Sequence, residues 1–197
     1  MDTVRKWGKT AAGVVVALGL GAVSGCQSVT SYTDTYEQQS KAIQGVVLDQ
    51  AAADAIAQRF VTTFSLMGTP QFFTEAKALF AEKGLYINDT LTLYTDAEQL
   101  AKHMQGMNAR VKDAHVDLVH TWVGGDSVYV HWRMHYTLHV LGVDRPMASF
   151  GISQLKVNAS GKIIFQQDYW DSNNGLYRQL PRIGWLYRWL LPVDGMH

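Results

Sequence analysis

The run Gln166-Gln167-Asp168-Tyr169-Trp170-Asp171 sets two carboxylates among aromatic rings. A carboxyl facing an apolar cavity loses hydration in its charged form, so its pKa climbs toward neutrality, where a general base or acid works best. The β-branched and aromatic neighbours read as a strand, and alternation then puts Gln166, Asp168 and Trp170 on one face. Asp168 is therefore the candidate proton carrier. Its competing role is a buried structural pair, and that alternative stays open. Asp171 precedes Ser172-Asn173-Asn174-Gly175 and reads as the cap of the turn that follows.

His131, His135 and His139 recur every four residues, a spacing that would stack them on one helix face and suit a metal. The surrounding Val128-Tyr129-Val130-His131-Trp132 is strand-like instead. At about 3.3 Å per residue, successive histidines then stand roughly 13 Å apart. Zinc needs its ligands about 2.0 to 2.1 Å from one centre, so neither a metal nor another cofactor is expected. His131, Arg133 and His135 become outward-facing residues of a surface or a subunit interface. Trp132, Met134 and Tyr136 point inward by the same alternation, and they are candidates for the wall of a ligand pocket.

The elements that position these residues follow from periodicity. Leu48, Ala52, Ile56, Phe60 and Phe64 make one apolar helical stripe, which Gly68-Thr69-Pro70 ends. A second helix is predicted over 70–82, with Phe72, Phe73, Ala76, Leu79 and Phe80 inward, and a short strand over 85–88. Thr95-Asp96-Ala97-Glu98 reads as a capping box with Thr95 as the cap, opening a third helix to about Met107. The period then changes to alternation. Turns at Gly124-Gly125-Asp126, Gly142-Val143-Asp144-Arg145-Pro146 and Asn158-Ala159-Ser160-Gly161 delimit strands over 109–123, 127–141, 147–157 and 162–170. The fold class is α+β, three helices packed in a curved, mostly antiparallel sheet that closes a cone.

Composition narrows the partners. Lys and Arg number 17 and Asp and Glu also 17, so no strongly basic face recruits nucleic acid. Cys26 is the only cysteine, which leaves packing rather than disulfides to stabilise the fold. Arg5, Lys6 and Lys9 precede an apolar run over 11–23, too short for a bilayer whose core of about 30 Å takes about 20 helical residues. Residues 1–25 are thus predicted to be a cleaved leader, 26–46 a flexible tether of Ser, Thr, Gln and Tyr, and 47–197 the folded domain. Val23-Ser24-Gly25-Cys26 resembles a bacterial lipobox. That resemblance implies acyl chains on Cys26, at about 0.8 kcal/mol per buried methylene, and Gln27 after it implies the periplasmic face of the outer membrane. The alternative is an ordinary export signal with an incidental cysteine. Near the end, Arg178, Arg182 and Arg188 interleave with Tyr177, Trp185, Tyr187 and Trp189, which suits either a bilayer interface or a helix started by Pro181 that packs over the cone or a second subunit.

The element order, with Gly151-Ile152-Ser153-Gln154-Leu155, Gly161-Lys162-Ile163-Ile164 and Asp168-Tyr169-Trp170-Asp171, resembles the nuclear transport factor 2-like superfamily over about residues 48–191. That superfamily includes the SnoaL-like cyclases, the ketosteroid isomerases and the limonene epoxide hydrolases. The segment Leu176-Tyr177-Arg178-Gln179-Leu180-Pro181 with Ile183-Gly184-Trp185 is similar to uncharacterised bacterial members. The resemblance implies a cone with a pocket. Its epoxide hydrolase type holds a water with a Tyr, an Asn two residues on and an Asp, and Tyr86, Asn88 and Asp168 stand at those positions. That type also uses an Arg and an Asp on a pocket-facing strand, and here the strand of Trp132 and Met134 has no such pair on its inner face. The expectation is a membrane-anchored domain binding a small apolar ligand. The alternative is a hydrolase, isomerase or cyclase with Asp168 as base beside Tyr86 and Asn88. The resemblance also implies a possible homodimer through the outer sheet face.

Overall fold

The computed structural model describes residues 29–90, 92–180 and 184–190. The leader, Cys26 and Arg182 lie outside the described residues. The chain divides into two compact units, one ending at Gln39 and the other running from Ser40. The first carries most of α1 (Val29–Ala42), a helix where a tether was expected, over a stretch that contains neither Gly nor Pro.

The second unit begins earlier than the expected boundary at residue 47, because a buried lysine claims its first residues. Lys156, 4% exposed, donates to the carbonyls of Ser40 at 2.7 Å and Ile43 at 3.0 Å. It also lies 3.0 Å from the Asp126 carboxylate. Val46 N–H then bonds Val157 O at 2.8 Å. Against the opposing effect of burial, the Gly45 amide and Lys156 hold the Asp126 pKa below its ordinary value.

Helix α2 (Gln50–Phe64) starts where the Asp49 side chain accepts from Ala52 N. It buries Ala53, Ile56, Ala57, Phe60, Val61 and Phe64, a stripe at the spacing of one helical face. Helix α3 (Pro70–Leu79) has Pro at its first turn, where the missing N–H is harmless. It stops short of residue 82 because Phe80 turns extended and bridges Ile163, and Ala81 N–H bonds Ile163 O. Strand β1 (Lys83–Asn88) pairs with a strand absent from the sequence reading, β2 (Leu93–Asp96). The cap of α4 (Ala97–Gly106) is not Thr95, inside β2, but Asp96, the last residue of that strand, which accepts from Gln99 N. Glu98 pairs instead with Lys102 one turn on.

Strands β3 (Val111–Gly124), β4 (Ser127–Val140), β5 (Val143–Val157) and β6 (Ile163–Trp170) complete a six-stranded sheet in the order β2-β1-β6-β5-β4-β3. Only the β1–β6 pairing is parallel. Leu141 and Gly142, both at positive φ, make a two-residue hairpin, so residues 143–146 of the expected loop over 142–146 are strand. Pro146 is tolerated there because β6 reaches along β5 only to Gly151 and leaves one edge open. Irregularities in β3 at Lys112/His115 and Leu118/His120 bend the strand, and the sheet curves around α2, α3 and α4.

Candidate functional site

The hollow of this sheet holds a half-open cavity of about 150 Å³. A volume of that size accepts a benzene-sized molecule. Phe60, Phe64 and Met67 at the end of α2, Met104 and Met107 at the end of α4, and Val111 and Val116 of β3 form one side. Trp132, Met134, Tyr136 and Leu138 of β4 form the other, with Trp170 and Leu176. Asp89, His103, Ser153 and Asp168 are its polar points.

Asp168 is held from within the sheet. The Trp132 indole N–H donates to Ser153 Oγ at 2.9 Å, and the Ser153 hydroxyl donates to Asp168 Oδ1 at 2.6 Å. Gln166 Nε2 lies 3.0 Å from Oδ1 and 2.9 Å from Oδ2. Burial pushes the Asp168 pKa up to about 7; the Ser153 and Gln166 donors pull it down, and the Asp89 charge adds to the rise. Near neutral pH the group is thus divided between acid and base.

Asp89 follows β1 and ties three parts together. Its backbone carbonyl accepts from the Trp170 indole at 3.1 Å, Oδ1 accepts from Thr92 N at 2.7 Å, and Oδ2 accepts from the Tyr94 hydroxyl at 3.3 Å. Burial, then the Asp89 charge, pushes the Tyr94 pKa up to about 12. The His103 ring stands 5.6 Å from that of Tyr94. Burial also raises the Tyr136 pKa.

Trp132, Met134, Tyr136, Asp168 and Trp170 thus meet at one cavity. Gln166 does not line it: fully buried, it lies behind Asp168 and clamps it. Tyr86 and Asn88 do not join Asp168 around a water either. The parallel register sets Tyr86 beside Phe165 and Asn88 beside Gln167, which alternation places on the opposite face from Asp168. There the Tyr86 hydroxyl donates to Gln167 Oε1 at 2.9 Å and accepts from Asn88 Nδ2 at 3.1 Å, and its ring stacks on Phe165. Arg133 is exposed and pairs with Asp117 of β3. His139 bonds Asp144 at 2.5 Å, and no cluster of three metal-ligating side chains occurs among the described residues. Asp171 caps the short α5 (Ser172–Gly175), accepting from Asn174 N, as its position in the sequence suggests.

The sequence reading missed Ser153, Asp89 and His103. The alternating Gly151-Ile152-Ser153 was the available signal for the first; the other two sit in a loop and a helix whose approach to the cavity only the tertiary fold decides.

Residues 57–165 match the family model described as a SnoaL-like domain. No curated protein sequence matches. Several solved structures are similar. TsrD from Streptomyces laurentii is 18% identical over 68% of this chain and 98% of its own, with a TM-score of 0.54. AclR, a putative hydroxylase from Streptomyces galilaeus, is 15% identical over 68% of this chain and 100% of its own, with a TM-score of 0.53. An LEH-like epoxide hydrolase of M. tuberculosis is 16% identical over 64% of this chain and 82% of its own, with a TM-score of 0.50. At such identities the likeness establishes the shared fold alone.

Proposed function

Because this chain belongs to the SnoaL-like domain family, we propose that its cavity binds a small, largely apolar molecule whose one polar group meets Asp168. The observation that carries this reading is the hydrogen-bonded carboxyl of Asp168 in a largely apolar, ring-lined hollow whose other polar points are Asp89, His103 and Ser153. Apolar walls supply affinity, and a few fixed polar groups supply orientation. Toluene titrated into the full-length chain in detergent micelles tests it. Saturable shifts of the Trp132 and Trp170 indole resonances, lost in Met134→Trp where the cavity is filled, are the expected outcome; no shift with toluene or with the same ring carrying an amine, hydroxyl or carboxylate substituent rejects the reading.

A second reading is catalytic: Asp168 acts as general base or acid in a hydrolase, isomerase or cyclase reaction. The near-neutral pKa of this buried carboxyl favours it. The position of Tyr86 and Asn88 across the sheet removes the epoxide hydrolase water site, so proton transfer by Asp168 to a carbon or oxygen of the ligand is the form this reading takes. In the cell, the domain is proposed to be tethered through lipidated Cys26 at the periplasmic face of the outer membrane. Exposed Phe150 beside Arg133, and exposed Ile152 and Trp122 beside His131, on the outer sheet face support a homodimer there.

A further inference from the structure

The cavity wall combines ring systems and carboxylates and has no cation of its own. Phe60, Phe64, Trp132, Tyr136 and Trp170 supply the rings, Asp168 and Asp89 the acids, and no Lys or Arg lines it. Both indole N–H groups are spent inside the fold, on Ser153 Oγ and on the Asp89 carbonyl, so neither is offered to a ligand. An anionic ligand would meet two carboxylates and few donors. Among the described residues Asp168 Oδ2, by contrast, accepts only from Gln166, which leaves it room for one more donor.

A buried carboxylate is stabilised by a cation held against it, and an ammonium group is also attracted to aromatic faces, most strongly to Trp and most strongly when desolvated. Every charged or aromatic group on this wall favours the same partner, His103 apart. We propose that the molecule bound here is a small organic amine, with its ammonium group donating to Asp168 Oδ2 and a compact apolar body of about one ring among Trp132, Tyr136, Trp170 and Phe64. This rests on the reading that the cavity binds a ligand and names that ligand's class. Asp89, on the same wall, adds negative potential without having to touch the amine. Neutralising Asp168 with an incoming cation also removes the cost of ionising it in an apolar place, so ligand binding and carboxylate formation reinforce each other.

The test compares benzylamine, benzyl alcohol, toluene and benzoate, four probes built on one ring, binding to the full-length chain in non-ionic micelles, measured by calorimetry and by the Trp indole resonances. Benzylamine is expected to bind at least about tenfold tighter than benzyl alcohol or toluene, and benzoate weakest. Asp168→Asn is expected to weaken benzylamine at least about tenfold more than it weakens toluene. Toluene or benzyl alcohol binding as well as benzylamine overturns the amine assignment and leaves the cavity reading standing, as does preferred binding of benzoate. Failure of all four probes overturns the cavity reading itself. The wild-type comparison decides the matter even if Asp168→Asn does not fold.

Discussion

A proton on Asp168 links the cavity to stability. In the unfolded chain this carboxyl titrates near 3.8, in the folded protein near 7, because burial disfavours its charge. Between those values the native state holds the extra proton, so stability is greatest at the acid end and falls as pH rises toward 7, by at most about 1.4 kcal/mol per pH unit. Denaturant unfolding from about pH 5 to about pH 8 is expected to show that loss in wild type and a flatter profile in Asp168→Asn; parallel profiles would show that Asp168 does not titrate there. The variant has a route to satisfaction: the buried Gln166 Oε1 has no partner in the present orientation, and a turned amide would let it accept from the new Asn. Asp168 was legible in the sequence because strand alternation alone sets its face. Ser153 was not. The hairpin at Val157↔Ile163, extended regularly, would set Ser153 opposite Gln167, but a register shift between Lys156 and Val157 sets it opposite Asp168. Tyr86 and Asn88 were misplaced for a related reason, since nothing local fixes the register of a short parallel strand against β6.

At the level of elements, β4, β5 and β6 present the cavity wall only because one residue between two tryptophans has no side chain. Gly151 pairs with Trp132 across β4 and with Trp170 across β6. A Cβ at that position would stand 2.6 Å from Trp132 Cζ2, 2.7 Å from Trp170 Cβ and 2.8 Å from the Tyr169 carbonyl oxygen. Two of these neighbours belong to or adjoin backbone and cannot swing aside. Gly151→Ala is expected to destabilise by about 1 to 3 kcal/mol and to displace both indoles, read as a lower Tm with altered tryptophan fluorescence. A variant with unchanged Tm and spectrum would show that the sheet absorbs the methyl by shifting. The long strands and α2 were readable because each has many residues repeating one period, which outweighs local exceptions. β2 was not, being short and exposed along much of its length, and the α4 cap is its last residue, Asp96, rather than Thr95. Where the second unit begins was not legible locally, because buried Lys156 bonds the Ser40 and Ile43 carbonyls, a demand placed by a residue far along the chain.

For the whole molecule, the open matter is how the domain is held where it works. Among the described residues no helix is long and apolar enough to cross a membrane. The short α6 (Gly184–Leu190) does expose Trp185 at 61% and Trp189 at 71%, one helical turn apart, with Leu186 beside them. Two tryptophans and a leucine can rest at a bilayer surface, yet their apolar area is small beside several acyl chains, each methylene of which contributes about 0.8 kcal/mol. The two contributions therefore predict different fates for one variant. If Cys26 carries the chains, Cys26→Ser is expected to lose palmitate labelling and to move from the outer-membrane fraction to the soluble periplasm, while toluene binding in the cavity persists. Retention of Cys26→Ser on the membrane would reject lipidation as the main anchor and assign that work to surfaces such as α6. Loss of labelling with retention on the membrane would separate the two, since acylation would then be real but unnecessary.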